Sequence, residues 1–116
     1  MSKHPFDPLK TAVLIVDLQN DFLDPQGAYG RSGNSNPDIA ALPEKVEPLL
    51  TEVRKAGGWI VSTQFTLVPG KNGEPFISPH LKKLRPFLTK GDFMPSSWGH
   101  SLVNKLQPAD ITIEKI

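Results

Sequence analysis

Six residues near the start of the chain, Thr11 to Val16 (T-A-V-L-I-V), form an almost unbroken apolar run rich in β-branched side chains, with polar segments on both sides. An antiparallel strand with one wet face alternates polar and apolar residues. A run like this one reads as a strand covered on both faces, as in a parallel sheet packed between helices. The chain is therefore expected to be an α/β protein. The run stops at Asp17, which places a carboxylate at the strand's carboxyl end.

The segments that follow fit the same architecture. Asp24 to Asn36 holds Pro25, Gly27, Gly30, Gly33 and several Ser and Asn residues, a loop composition. Val46, Leu49, Leu50 and Val53 fall at i, i+3, i+4 and i+7 and predict an amphipathic helix. Pro43 and Pro48 blur its start, and Gly57 and Gly58 end it. Trp59 to Thr63 (W-I-V-S-T) reads as a second strand, so strand, helix and strand follow one another within about 55 residues, the size of a right-handed parallel crossover. Gln64 to Phe93 is irregular, with one helical turn expected around His80 to Leu84. Ser96 or Ser97 is expected to cap a short helix through Leu106, and Asp110 to Ile116 (D-I-T-I-E-K-I) alternates as a third strand. A parallel strand needs a covering helix and neighbours, which nothing after Ile116 supplies. Residues 1–116 are therefore expected to be the N-terminal part of one domain, a three-layer, Rossmann-like parallel sheet left incomplete. A small complete three-stranded fold is the alternative.

Composition narrows the function classes. Lys and Arg number 13 against 12 Asp and Glu, a formal net charge of +1, so there is no field to hold a polyanion and nucleic acid is not an expected partner. No run approaches the roughly 18 apolar residues of a membrane span, and Met1 to Lys10 lacks the apolar core of a signal peptide. The cytoplasm is the expected location. With no cysteine in the 116 residues, they hold no disulfide, thiolate metal site or cysteine nucleophile. His4, His80 and His100 lack metal-ligand spacing, and neither a metal nor another cofactor is expected.

Asp17 occupies the position at which an open parallel sheet presents side chains to a crevice, although an aspartate after a strand also serves simply to cap a turn. The longer string V-L-I-V-D-L-Q-N-D-F, Val13 to Phe22, resembles the opening signature of the isochorismatase-like cysteine hydrolases, the superfamily that includes nicotinamidases and N-carbamoylsarcosine amidohydrolases. The resemblance continues through R-x-A-G-G (Arg54 to Gly58), W-I-V-S-T-Q (Trp59 to Gln64), Gly91-Asp92, S-S-W-G (Ser96 to Gly99) and T-I-E-K (Thr112 to Lys115). It implies that Asp17 is the catalytic acid/base, that Lys115 is the catalytic lysine, and that a cysteine nucleophile opens a helix beyond this chain. In such an enzyme the thiolate attacks an amide carbonyl and expels ammonia or an amine, and water then cleaves the acyl thioester. Asp17 would take the thiol proton and return it to the leaving group, while Lys115 holds Asp17 in place and stabilises negative charge.

Other residues of these motifs receive more modest expectations. Gln19, Asn20 and Asp21 are expected to bond backbone groups of the strand-to-loop turn. Phe22, Gln64, Phe65 and Trp98 are candidate substrate contacts: Phe22 lines the pocket or packs, Gln64 and Phe65 lie just past the second strand, and Trp98 stacks on a substrate or fills the core. The metal-dependent nicotinamidases carry Asp-x-His after the second strand, whereas Thr63-Gln64-Phe65-Thr66 offers no ligand.

The resemblance thus implies hydrolysis of a C–N bond in a small amide or ureide. Isochorismatases proper share the fold and the aspartate but cleave an enol ether by protonation from the Asp, without cysteine. A phospho-acceptor receiver domain is a different class, and it needs an acceptor Asp where this chain has Ser62, Thr63 and Gln64. A non-catalytic interaction domain is the remaining alternative. Taken alone, the 116 residues are expected to be inactive, with the rest of the domain as their partner, in the same chain or another. Assembly into a homo-oligomer is also implied, the segment from Gln64 to Phe93 being one route to it.

Overall fold

The computed structural model describes residues 7–116, so His4 lies outside the described residues. Three strands, β1 (Ala12–Val16), β2 (Trp59–Phe65) and β3 (Ile111–Lys115), form one parallel sheet in the order β1-β2-β3. Four helices separate β1 from β2: the single turns α1 (Asn20–Leu23), α2 (Ala28–Arg31) and α3 (Pro37–Ala40), and the longer α4 (Leu42–Lys55). Between β2 and β3 lie α5 (Pro79–Leu84) and a 3-10 turn, Asn104–Leu106.

α4 begins with Pro43 in its first turn, where the missing N–H has no partner to lose, and it tolerates Pro48 on an exposed side. It ends as its glycines predict. Gly57 adopts φ +83°, its N–H donates to the Arg54 carbonyl at 3.1 Å, and the Gly58 N–H donates to the Val53 carbonyl at 2.9 Å, the paired bonds of a Schellman cap. Val46, Leu50 and Val53 pack against Ile15 and Ile60 of the sheet and against Leu102, Val103 and Leu106. Leu49 falls outside this stripe and is half exposed. Arg54 closes the layer from the side, donating to the carbonyls of Leu106 and Pro108 at 2.9 and 2.8 Å.

Strand alternation sorts the sheet into two unlike faces. Val13, Ile15, Ile60, Ser62 and Gln64 face α4, and the last four are buried. On the other side Leu14 is 57% exposed, Val16 52% and Ile113 49%. The run T-A-V-L-I-V, read as covered on both faces, is therefore covered on one, because the described residues supply a helical layer to one face only. The parallel α/β sheet is present; a third layer is not, among those residues.

One expected element is replaced. No helix runs from Ser96 or Ser97 to Leu106; turns lead instead into the 3-10 turn at Asn104. Ser96 has φ +68°, outside the helical region. The carbonyls of Trp98, Gly99, His100 and Ser101 accept from the Asn20 side chain, the Asp21 N–H, the Gln19 side chain and the Asn20 N–H respectively. Bonds to residues 19–21 thus occupy the acceptors that a helix would have used internally.

A second apolar cluster lies beyond the carboxyl ends of the strands. Ala28, Leu67, Leu88 and Phe93 are buried there, with Phe22, Tyr29, Phe65 and Phe87 packed around them. Phe22 meets Tyr29, Phe65 and Phe93 at centroid distances of 4.8, 6.0 and 4.5 Å. This aromatic floor anchors the long segment from residue 66 to residue 94 to the end of the sheet.

Candidate active site

Asp17 follows directly on β1 and has φ +59°, a left-handed conformation that aspartate tolerates better than most residues. In a continued strand its side chain would share the side of Ile15. The left-handed turn instead lets the carboxylate meet Thr63 and Lys115, both on the open face. Thr63 donates from Oγ1 to Asp17 Oδ1 at 2.9 Å, and the Lys115 ammonium donates to Oδ2 at 2.7 Å. Lys115 lies 98 residues away in sequence. The Lys115 and Asp17 side chains and the contact between them together bridge two strand spacings, about 10 Å, across the end of β2.

The pair is partly wet: the Asp17 side chain is 21% exposed and that of Lys115 45%. Such a charge-assisted contact is short and directional, yet solvent screening keeps its contribution to stability small. It is better suited to orienting a carboxylate than to holding the fold together. Strained backbone that the surrounding contacts over-determine is typical of functional sites, and Asp17 fits that pattern.

The rest of D-x-Q-N-D-F points the other way. Gln19 is fully buried, donating from Nε2 to the carbonyls of Phe65 and His100, each at 2.9 Å, and accepting at Oε1 from the Phe65 N–H at 2.7 Å. Asn20 Nδ2 donates to the Trp98 carbonyl at 2.8 Å. The buried Asp21 accepts from Ala28 N–H at 2.9 Å and from Phe93 N–H at 2.8 Å, and Arg31 stands nearby, paired with Asp92 at 2.7 Å. These three side chains bond backbone, as expected from sequence. Their partners are mostly distant segments, however, and only Ala28, the first residue of α2, lies nearby in sequence. Together they weld the exits of β1 and β2 and the 93–101 segment into one platform under Asp17.

Of the four candidate substrate contacts, Phe65 is in register with Lys115 and lies on the same face, half-buried. Phe22 packs beside it in the aromatic floor. Gln64 is turned away: β2 runs two residues beyond the expected end, so Gln64 is a strand residue of the covered face, where its Nε2 donates to the His100 carbonyl at 2.8 Å. Trp98 is also apart from Asp17. It is 55% exposed and lines a separate cavity of about 290 Å³ with Asn20, Leu23, Pro43 and Lys105. Thr63, which touches Asp17, went unassigned in the sequence. The signal for it was strand parity, since Thr63 is the register partner of Val16 and lies two residues from Phe65. Among the described residues no group of three His, Cys, Asp or Glu side chains converges as a metal site, and no helix is long and apolar enough to cross a membrane.

Fold and site together define a class: an open parallel α/β sheet that brings an aspartate after its first strand and a lysine on its third to a common edge. Comparison with known proteins names the family within that class. The isochorismatase domain model matches residues 11–116, and the chain belongs to the isochorismatase family. It is 30% identical over 122 aligned residues to a ureidoacrylate amidohydrolase of Caulobacter vibrioides, an alignment that covers 96% of this chain and 54% of that protein. In fold it is similar to a cysteine hydrolase of Pseudomonas syringae pv. phaseolicola (TM-score 0.71, 22% identity, 98% of this chain and 50% of the other). A pyrazinamidase of Pyrococcus horikoshii, solved in complex with zinc, is also similar (TM-score 0.56, 23% identity, 90% and 50%). The chain spans about half the length of these relatives.

Proposed function

We propose that the protein containing this chain is a cysteine hydrolase that cleaves a C–N bond of a small amide or ureide, with Asp17 as acid/base, Lys115 assisting, and the thiol supplied by polypeptide outside these 116 residues. The observation that carries the reading is the 2.7 Å contact between Lys115 Nζ and Asp17 Oδ2 at the carboxyl edge of a parallel sheet. Likeness to an amidohydrolase of ureidoacrylate supports the bond type. In the proposed cycle Asp17 removes the S–H proton, and sulfur attacks the carbonyl carbon. The C–N bond breaks as Asp17 returns that proton to nitrogen; water, deprotonated in turn by Asp17, then adds to the thioester carbonyl, and the C–S bond breaks as Asp17 returns this second proton to sulfur. Phe65 and Phe22 would offer the substrate an apolar wall. The bare face of Leu14, Val16, Ile111 and Ile113 suits packing by further helices of the same domain. The complete protein is expected to form a homo-oligomer.

The test uses the complete protein, assayed for kcat/KM on a panel of small amides and ureides. Asp17→Asn is expected to lower turnover by about 10³-fold or more, within the range of general acid/base effects. Wild-type turnover in that variant would end the proposal. Inactivation by iodoacetamide distinguishes the thiolate route from enol-ether protonation by the aspartate alone.

A further inference from the structure

We infer that Thr63 is a positioning residue for Asp17, and that through it Oδ1 becomes the carboxylate oxygen that carries the proton in turnover. This rests on the acid/base role proposed above. Thr63 holds Asp17 at two points. Its carbonyl accepts the Asp17 N–H at 3.0 Å, and its hydroxyl donates to Asp17 Oδ1 at 2.9 Å. The other carboxylate oxygen, Oδ2, is engaged by the Lys115 ammonium. Among the described residues these are the hydrogen-bond partners of the carboxylate.

The two partners differ in kind. An ammonium has three donors and no acceptor, whereas a hydroxyl has one donor and lone pairs that accept. A proton placed on Oδ2 would set O–H against the Lys115 N–H and break that hydrogen bond. A proton placed on Oδ1 neutralises the carboxyl group all the same but leaves the Lys115 hydrogen bond to Oδ2 in place, and the Thr63 hydroxyl needs only to rotate about its C–O bond to become the acceptor. Heavy atoms stay where they are. Transfer then runs from S–H to Oδ1, forming O–H and freeing the thiolate, and later from Oδ1–H to the departing nitrogen, restoring the carboxylate.

Thr63 is well placed for this. It is half-buried in the central strand, and branching at Cβ restricts its χ1, so the hydroxyl is oriented in advance. It also opposes the tendency of Asp17 to leave a left-handed backbone conformation of order 1 kcal/mol above its usual ones. Neighbouring Ser62 and Gln64 project to the covered face and cannot substitute. Strand propensity alone would accept valine as readily as threonine at this position, which makes the hydroxyl the informative atom.

The experiment compares Thr63→Val, Thr63→Ser and Asp17→Asn in the complete protein by steady-state kinetics, with thermal unfolding as the folding control. Thr63→Val is expected to lower kcat by about 10- to 100-fold, the worth of a hydrogen bond to a charged group, while KM changes less than about threefold. Thr63→Ser keeps the hydroxyl and is expected to return kcat to within about threefold of wild type. If Thr63→Val does not fold, Thr63→Ala makes the same comparison. The inference is overturned if the variant lacking the hydroxyl keeps kcat within about threefold of wild type, or if Thr63→Ser is as impaired as that variant, in a protein whose Asp17→Asn form has lost turnover. If Asp17→Asn remains active, the acid/base reading itself has failed, and the role of Thr63 with it.

Discussion

Replacing Gln19 by leucine isolates the scaffolding part of the D-x-Q-N-D-F motif. Leucine exceeds glutamine in volume by about one methylene, so no cavity is opened at this fully buried position, and the cost reports chiefly on the polar groups left behind. The His100 carbonyl keeps the Gln64 amide at 2.8 Å and is not orphaned. Phe65 fares worse, since it loses the acceptor for its N–H and a donor to its carbonyl at once. A buried backbone group left without its partner costs about 1–3 kcal/mol, so two such losses and one weakened bond predict a destabilisation of about 3–5 kcal/mol. Equilibrium urea unfolding of the complete protein measures this. With an m-value of about 2–3 kcal/mol/M, the midpoint should fall by about 1.5 M. Asp17→Asn, two residues earlier, should stay within about 1 kcal/mol of wild type, because its ion pair is partly exposed. A Gln19→Leu protein within about 1 kcal/mol of wild type would refute the view that this buried amide splices the strand exits together.

Gly99→Ala should destabilise by about 2 kcal/mol or more in thermal unfolding. A Cβ there would collide with the Asp21 carboxylate, which is already fixed by the N–H groups of Ala28 and Phe93; an unchanged midpoint would mean that Asp21 is not held as described. Leu50→Ala, at a fully buried position between α4 and the sheet, should cost about 2–5 kcal/mol, against under about 0.5 for half-exposed Leu49→Ala. Equal losses in denaturant unfolding would show that the helix packs on a different stripe.

The parallel order of strands was legible because it rests on local signals: an apolar run for β1, a helical period ended by two glycines, and a second apolar segment at crossover distance. What escaped depended on partners far away in sequence. Residues 98–101 look capable of helix, yet their carbonyls are taken by Gln19, Asn20 and Asp21, about 80 positions earlier, a competition that no local window contains. Gln64 and Thr63 illustrate parity. Ending β2 at Thr63 leaves Gln64 in a loop that could face the crevice, whereas carrying the strand to Phe65 sends it to the covered face and leaves Thr63 beside Asp17. The pairing of Asp17 with Lys115 came from family resemblance, since neither period nor spacing relates residues at that separation. The geometry then accounts for why the motif is so compact. Asp17 can leave the strand with a left-handed backbone and turn its carboxylate to the open face only if the chain beyond it is held firmly. Gln19, Asn20 and Asp21 supply that hold by bonding inward to Phe65, His100, Trp98 and Phe93. Chemistry on one side of the chain and anchoring on the other are thus two consequences of one reversal at residue 17, and loosening the anchors should misdirect the carboxylate without touching it.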